Sequence, residues 1–199
     1  MHVWLVRHGE TEWSATGRHT GRTDVPLLAR GEAEASAAGR WLRAVVPTPA
    51  LVLTSPRRRA VETCRLAGFG ERAELCDDLA EWDYGDYEGD TTAHIRQGRP
   101  DWTLWTDGAP RGESPADVGR RADRVIERAR AAGGGVLLFS HGHLLRVLAA
   151  RWVGLPPAGG GLLALGAGAV CELGSEHGMP VVSRWNLTVG ATGAAAGSD

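Results

Sequence analysis

Three short runs of the chain are almost wholly apolar: HVWLV at 2–6, ALVLT at 50–54 and VLLFS at 136–140. Runs of this length predict strands buried on both faces. Between and after them, apolar positions recur at helical spacing. Ala33, Ala37, Trp41 and Val45 repeat every four residues, and Ala60, Cys64 and Ala67 do similarly. Val118, Ala122, Val125 and Ala129 make a longer stripe, opened by SPAD at 114–117. There Ser114 is the capping residue, Pro115 the first helical residue, and Asp117 completes the capping box. Leu145, Leu148, Ala149 and Trp152 form another stripe, stopped by Gly154 and two prolines.

Strands alternating with helices predict a three-layer α/β/α sandwich with a mostly parallel sheet. Residues 77–112, rich in Asp, Trp, Gly and Tyr, break the alternation. They are expected to form an insertion over the sheet edge, partly a lid. Residues 1–189 read as one domain, and 190–199, GATGAAAGSD, as a disordered tail.

Composition narrows the function. A formal net charge of -2 offers no broad basic field for nucleic acid or anionic membrane. No apolar run reaches the ~20 residues of a membrane span. The first residues run straight into a strand without a basic leader, so a cytoplasmic protein is expected. Cys64, Cys76 and Cys171 are too few and too scattered for a disulfide framework or a zinc site. All 22 basic residues are arginine, which excludes a P-loop or Schiff-base lysine. An anion site here must be built from Arg, His and backbone N–H groups.

In open α/β sheets, ligands sit beyond the carboxyl ends of the strands. Each apolar run ends in a polar motif there: RHGET, TSPRRRA and SHGH. Together they bring two imidazoles and at least two guanidiniums to one edge, a composition suited to a dianionic phosphoryl group. The helix after His141 would aim its positive end and free N–H groups at the same anion. A neutral imidazole is a competent nucleophile. His141 and His143, with His8, could instead hold a metal, but no neighbouring carboxylate completes the set, so neither metal nor cofactor is expected. Arg57 and Arg58 are expected in solvent, steering anions. At least one of Trp102 and Trp105 is expected in the core. His19 and His143 each divide evenly between a pocket role and a structural one.

The motifs LVRHGETEW, SPRRRAVET, LAEWDYGDYEG and SHG, in this order and spacing, resemble the histidine phosphatase superfamily, also called the phosphoglycerate mutase-like family. TEWSATGRHTGRTDVPL and AEWDYGDYEG are similar in particular to its small acid phosphatase and sugar-phosphate phosphatase members. The resemblance implies a phosphohistidine on His8, with Arg7 and Arg59 clamping the phosphoryl oxygens. It makes His141 a donor to an oxygen in the transition state and Glu81 the proton donor to the leaving group, then the base for water. Ser14, Thr20, Gly21, Tyr84 and Gly142 fall where family members touch phosphate or substrate.

The neighbouring arginines depress the pKa of His8 and favour its nucleophilic form. Glu81 must be protonated to act as an acid, so an acidic or mildly acidic optimum is expected. A metal-independent phosphomonoesterase for small phosphorylated metabolites, such as sugar phosphates, is the leading expectation. Mutase relatives carry a longer insertion and tail and usually Asn where this chain has Ser14. A mutase-type phosphotransferase and a non-catalytic phosphate binder stay as alternatives. Arg96, Arg99 and Arg111 are the candidates for a second phosphate. The resemblance also implies a homodimer, for which residues 162–185 could offer strands.

Overall fold

The computed structural model of the chain describes residues 2–46 and 48–190. Six strands form one sheet: β1 (Val3–Arg7), β2 (Leu51–Thr54), β3 (Glu74–Leu75), β4 (Val136–Ser140), β5 (Val170–Glu176) and β6 (Met179–Leu187). Their order is β3-β2-β4-β1-β5-β6. The first four in that order run parallel, while β5 pairs antiparallel with β1 and β6 antiparallel with β5. The three expected strands form the centre, and the 162–185 segment supplies most of a hairpin that extends the same sheet.

Alternation along each strand divides the core into two layers. Val3, Leu5, Leu53 and Leu138 face a cluster completed by α6 (Pro115–Ala131) and α7 (Gly142–Trp152). Trp4, Val6, Val52, Leu137 and Phe139 face the opposite cluster, with α2 (Ala29–Val45) and α3 (Arg58–Leu66). Both faces are covered, so the central strands can be apolar throughout. Helix α6 begins as its sequence requires: Ser114 accepts the Asp117 N–H, and the Asp117 side chain accepts the Ser114 N–H.

Two expectations are corrected. In α2 the buried positions are Gly31, Ala35, Ala37, Ala38, Gly39 and Leu42, whereas Ala33 and Val45 are exposed and Trp41 is half-buried. The helix docks through its smallest residues. A Cβ on Gly31 would lie 2.2 Å from the Glu10 carbonyl oxygen, and one on Gly39 would lie 2.3 Å from that of Ala67. Close backbone approach, not side-chain hydrophobicity, sets the phase. Residues 77–112, in turn, are more than an edge insertion. Short helices α4 (Thr92–Gly98) and α5 (Leu104–Asp107) lie within them, and Leu79, Trp82, Tyr84, Ile95, Trp102 and Leu104 are buried in the α6/α7 layer. The tail expected at 190–199 falls, apart from Gly190, outside the described residues.

Candidate active site

Parallel register builds the site. Arg7 pairs with Ser140 across β1 and β4, so the next residues, His8 and His141, leave the sheet side by side. Their rings stand 5.2 Å apart at 60°. Thr54 pairs with Phe139, which delivers Ser55 to the same edge. Helix α1 (Glu12–Ala15) and the loop after it come back to the same place, where Ser14, Arg18, His19 and Thr20 line one cavity with His8.

His8 is buried, and its Nδ1 lies 2.8 Å from the Gly9 carbonyl oxygen. A carbonyl only accepts, so Nδ1 carries the proton and Nε2 keeps its lone pair. Burial, then Arg59, then Arg7, holds the pKa of His8 well below the ordinary histidine range. The neutral form is therefore favoured, with desolvation the largest single cause. The Gly9 N–H donates to Thr63 Oγ1, which fixes the turn behind the imidazole.

Arg7 and His8 line a cavity of about 200 Å³, below the roughly 300–1,000 Å³ of pockets for drug-sized ligands. Of the expected residues, Ser14, Thr20, Glu81, Tyr84 and Gly142 line it as well. The Glu81 side chain is held by backbone N–H groups: Trp82 and Leu144 donate to Oε1, and His143 donates to Oε2. The Ser14 hydroxyl is committed to capping α1, accepting from the Thr11 N–H and donating to the Thr11 carbonyl. Gly21 stands off the cavity surface, where its N–H donates to the Glu88 carboxylate.

Arg59 and His141 are fully buried and also stand off the cavity surface. Arg59 donates to the carbonyls of Thr20, Gly21 and Thr23, which ties the returning loop to α3. Burial, Arg59 and His8 keep His141 largely neutral, its pKa well below the ordinary range. Among the described residues, the buried side-chain nitrogens and oxygens without a hydrogen-bond partner are Nε of Arg7, Arg57 and Arg59 and Nδ1 of His141. All four belong to the three strand-end motifs. Arg57 is thus half-buried beside this group rather than solvated, whereas Arg58 is exposed.

His143 lines the cavity, its Nδ1 2.6 Å from the Tyr84 hydroxyl, and burial again depresses its pKa. His19 lines the cavity too, its ring 4.7 Å from that of Tyr84 and its Nε2 3.3 Å from Thr92 Oγ1. Trp102 is buried, and Trp105 is half-buried under the Arg146 guanidinium at 4.3 Å. The arginines expected to serve a second phosphate are engaged elsewhere. Arg96 donates to the Trp102 carbonyl, Arg99 pairs with Asp107, and Arg111 pairs with Asp86. Arg18 and Arg146 line the cavity instead. Nothing in their sequence setting distinguishes them among 22 arginines. Among the described residues, no group of three or more His, Cys, Asp or Glu side chains is placed to hold a metal. None of their helices is long and apolar enough to cross a membrane.

Residues 3–188 match the model of the histidine phosphatase superfamily (branch 1). The chain is 45% identical over 186 residues to an acid phosphatase of Mycobacterium tuberculosis, covering 92% of this chain and 91% of that protein. It is 36% identical over 181 residues to sedoheptulose 1,7-bisphosphatase of Saccharomyces cerevisiae, covering 76% and 67%. The solved structure of a functionally characterised open reading frame from M. tuberculosis superimposes with a TM-score of 0.91 at 43% identity, covering 95% and 98% of the two chains.

Proposed function

The chain belongs to the histidine phosphatase superfamily and is a phosphoric monoester hydrolase; from that premise we propose that it works without metal, through a phosphohistidine on His8, on small phosphorylated metabolites. The observation that carries this reading is that four buried nitrogens without protein partners, three of them guanidinium donors, all belong to the strand-end motifs that include His8 and its neighbour His141. A tetrahedral phosphoryl group supplies the acceptors that such donors lack.

In the proposed cycle, His8 Nε2 attacks phosphorus as the bond to the leaving oxygen breaks. Arg7 and Arg59 hold the equatorial oxygens, and His141 donates as charge builds on them. Glu81 gives its proton to the departing alkoxide. It then takes one from water, whose oxygen attacks phosphorus and returns the bonding pair to Nε2. The small cavity suits a short metabolite, and Arg18 and Arg146 favour one with further anionic or polar groups. The hydrolase reading stands ahead of the mutase reading, in keeping with the similarity to the acid phosphatase and the bisphosphatase. A cytoplasmic location belongs to the same proposal, as does a homodimer through the outer edge at β6. Light scattering that finds a monomer at micromolar concentration removes the dimer.

The test is a phosphatase screen of EDTA-treated protein at pH 5 to 7.5, with His8→Ala as control. It spans p-nitrophenyl phosphate, 3-phosphoglycerate, sugar monophosphates and bisphosphates, and nucleoside monophosphates. Phosphate release by the unmodified chain alone supports the proposal. Release that needs added metal contradicts it.

A further inference from the structure

We propose that Ser55 is a positioning residue that fixes the tautomer of His141, placing its proton on Nδ1 for donation to the phosphoryl group. The inference rests on the phosphoryl-transfer reading above and adds a residue to it. Ser55 is fully buried at the end of β2, with its Oγ 2.7 Å from His141 Nε2. The same Oγ accepts the backbone N–H of Arg57 at 3.2 Å. Among the described residues, the hydroxyl proton of Ser55 has no other acceptor than His141 Nε2.

Proton accounting separates the two tautomers. If Nε2 carried the proton, it would donate to Ser55 Oγ. The serine proton would then have no acceptor, and the Nδ1 lone pair would face no donor, since Nδ1 is buried without a partner. That arrangement strands two buried groups. If Nδ1 carries the proton, the Ser55 hydroxyl donates to Nε2 and only the Nδ1–H is left without a partner. A phosphoryl oxygen is an acceptor of the required kind. Buried polar groups left unpaired are costly, so the second arrangement is the stable one. It also matches the neutral state that burial and the nearby arginines favour for His141. A chain of three donors results: the Arg57 N–H to Ser55, the Ser55 hydroxyl to His141 Nε2, and His141 Nδ1–H to substrate.

The experiment combines nitrogen-15 NMR of the imidazoles, with His141→Ala for assignment, and kinetics on p-nitrophenyl phosphate. In the unmodified chain, the His141 nitrogen bearing hydrogen is expected to be Nδ1. Ser55→Ala is expected to mix the tautomers and lower kcat at least about tenfold, since a mis-set catalytic imidazole can cost up to ~10⁴. Ser55→Thr, which keeps the hydroxyl, is expected to restore both readings. Protonation of His141 on Nε2 in the unmodified chain overturns the proposal, and this reading decides it even if Ser55→Ala does not fold. Unchanged kcat and tautomer in folded Ser55→Ala also overturns it. Failure of the phosphatase reading would appear separately, as no turnover by the unmodified chain.

Discussion

His8 and His141 are neighbours because Arg7 and Ser140 are register partners: each histidine is the first residue past a paired position on adjacent parallel strands. A slip of one residue in this pairing would turn one imidazole to the opposite face from the other, so the meeting of the two rings and the sheet pairing are one constraint. Groups that act as a unit are not additive when removed. His8→Ala is therefore expected to lower kcat at least ~10³-fold, and His141→Ala less. The double variant is expected to be little worse than His8→Ala alone. Steady-state kinetics on the three proteins measures this, and fully additive losses would mean that the two rings work independently.

Glu81, held by three backbone N–H groups at the cavity, is expected to serve the leaving group. Its contribution should grow as the leaving alcohol becomes a poorer one. Glu81→Gln is expected to cost about 10²–10⁴ in kcat on an alkyl phosphate such as glycerol 3-phosphate. On p-nitrophenyl phosphate, whose phenolate leaves unaided, the loss in the phosphorylation step is expected to be much smaller. Equal losses in that step on both substrates would rule out proton donation.

Stability and activity are expected to diverge in acid. His8, His141 and His143 all have folded-state pKa values depressed, chiefly by burial. Below about pH 6.5 the unfolded chain binds protons at these positions that the folded chain refuses, so stability present above that pH falls as pH drops toward the lowered values. The same shifts keep His8 a free base at mildly acidic pH, where an acid phosphatase works. Thermal melts from pH 7.5 to 5 are expected to show a falling Tm, with a shallower slope in His8→Ala. A Tm that rises toward pH 5 would contradict the assignment.

The seating of α2 reaches the turn after His8 directly. Gly31 packs on the backbone of Gly9 and Glu10, just beyond His8, and a Cβ on Gly9 would lie 2.1 Å from the Gly31 carbonyl oxygen. Gly31→Ala is expected to destabilise the fold by about 1–3 kcal/mol through overpacking and to lower kcat by displacing His8. Ala33→Ser, at an exposed position of the same helix, is expected to do neither. Urea unfolding and kcat on the two variants test this pairing.

The gathering of the strand-end residues was legible because each central strand is a continuous apolar run, and a polar motif after such a run is conspicuous. Arg7, His8 and His141 followed from position, and Arg59 and Glu81 from motif resemblance. The seating of α2 was not legible, because glycines that permit backbone contact carry no hydrophobic signal. Burial in residues 77–112 was hidden for a related reason: Leu79, Trp82 and Tyr84 are interleaved with charged residues at no regular period. Ser55 offered a positional clue, as the residue directly after β2, but serine is so common in turns that the clue did not stand out. Arg18 and Arg146 offered none.

The most direct test of the central claim is to quench a reaction of the chain with phosphorus-32-labelled substrate into alkali within one turnover and map the label. Acid-labile, alkali-stable phosphate is expected on His8, at Nε2, and none in His8→Ala. Turnover by the unmodified chain with no label on His8 under conditions of burst release would contradict it.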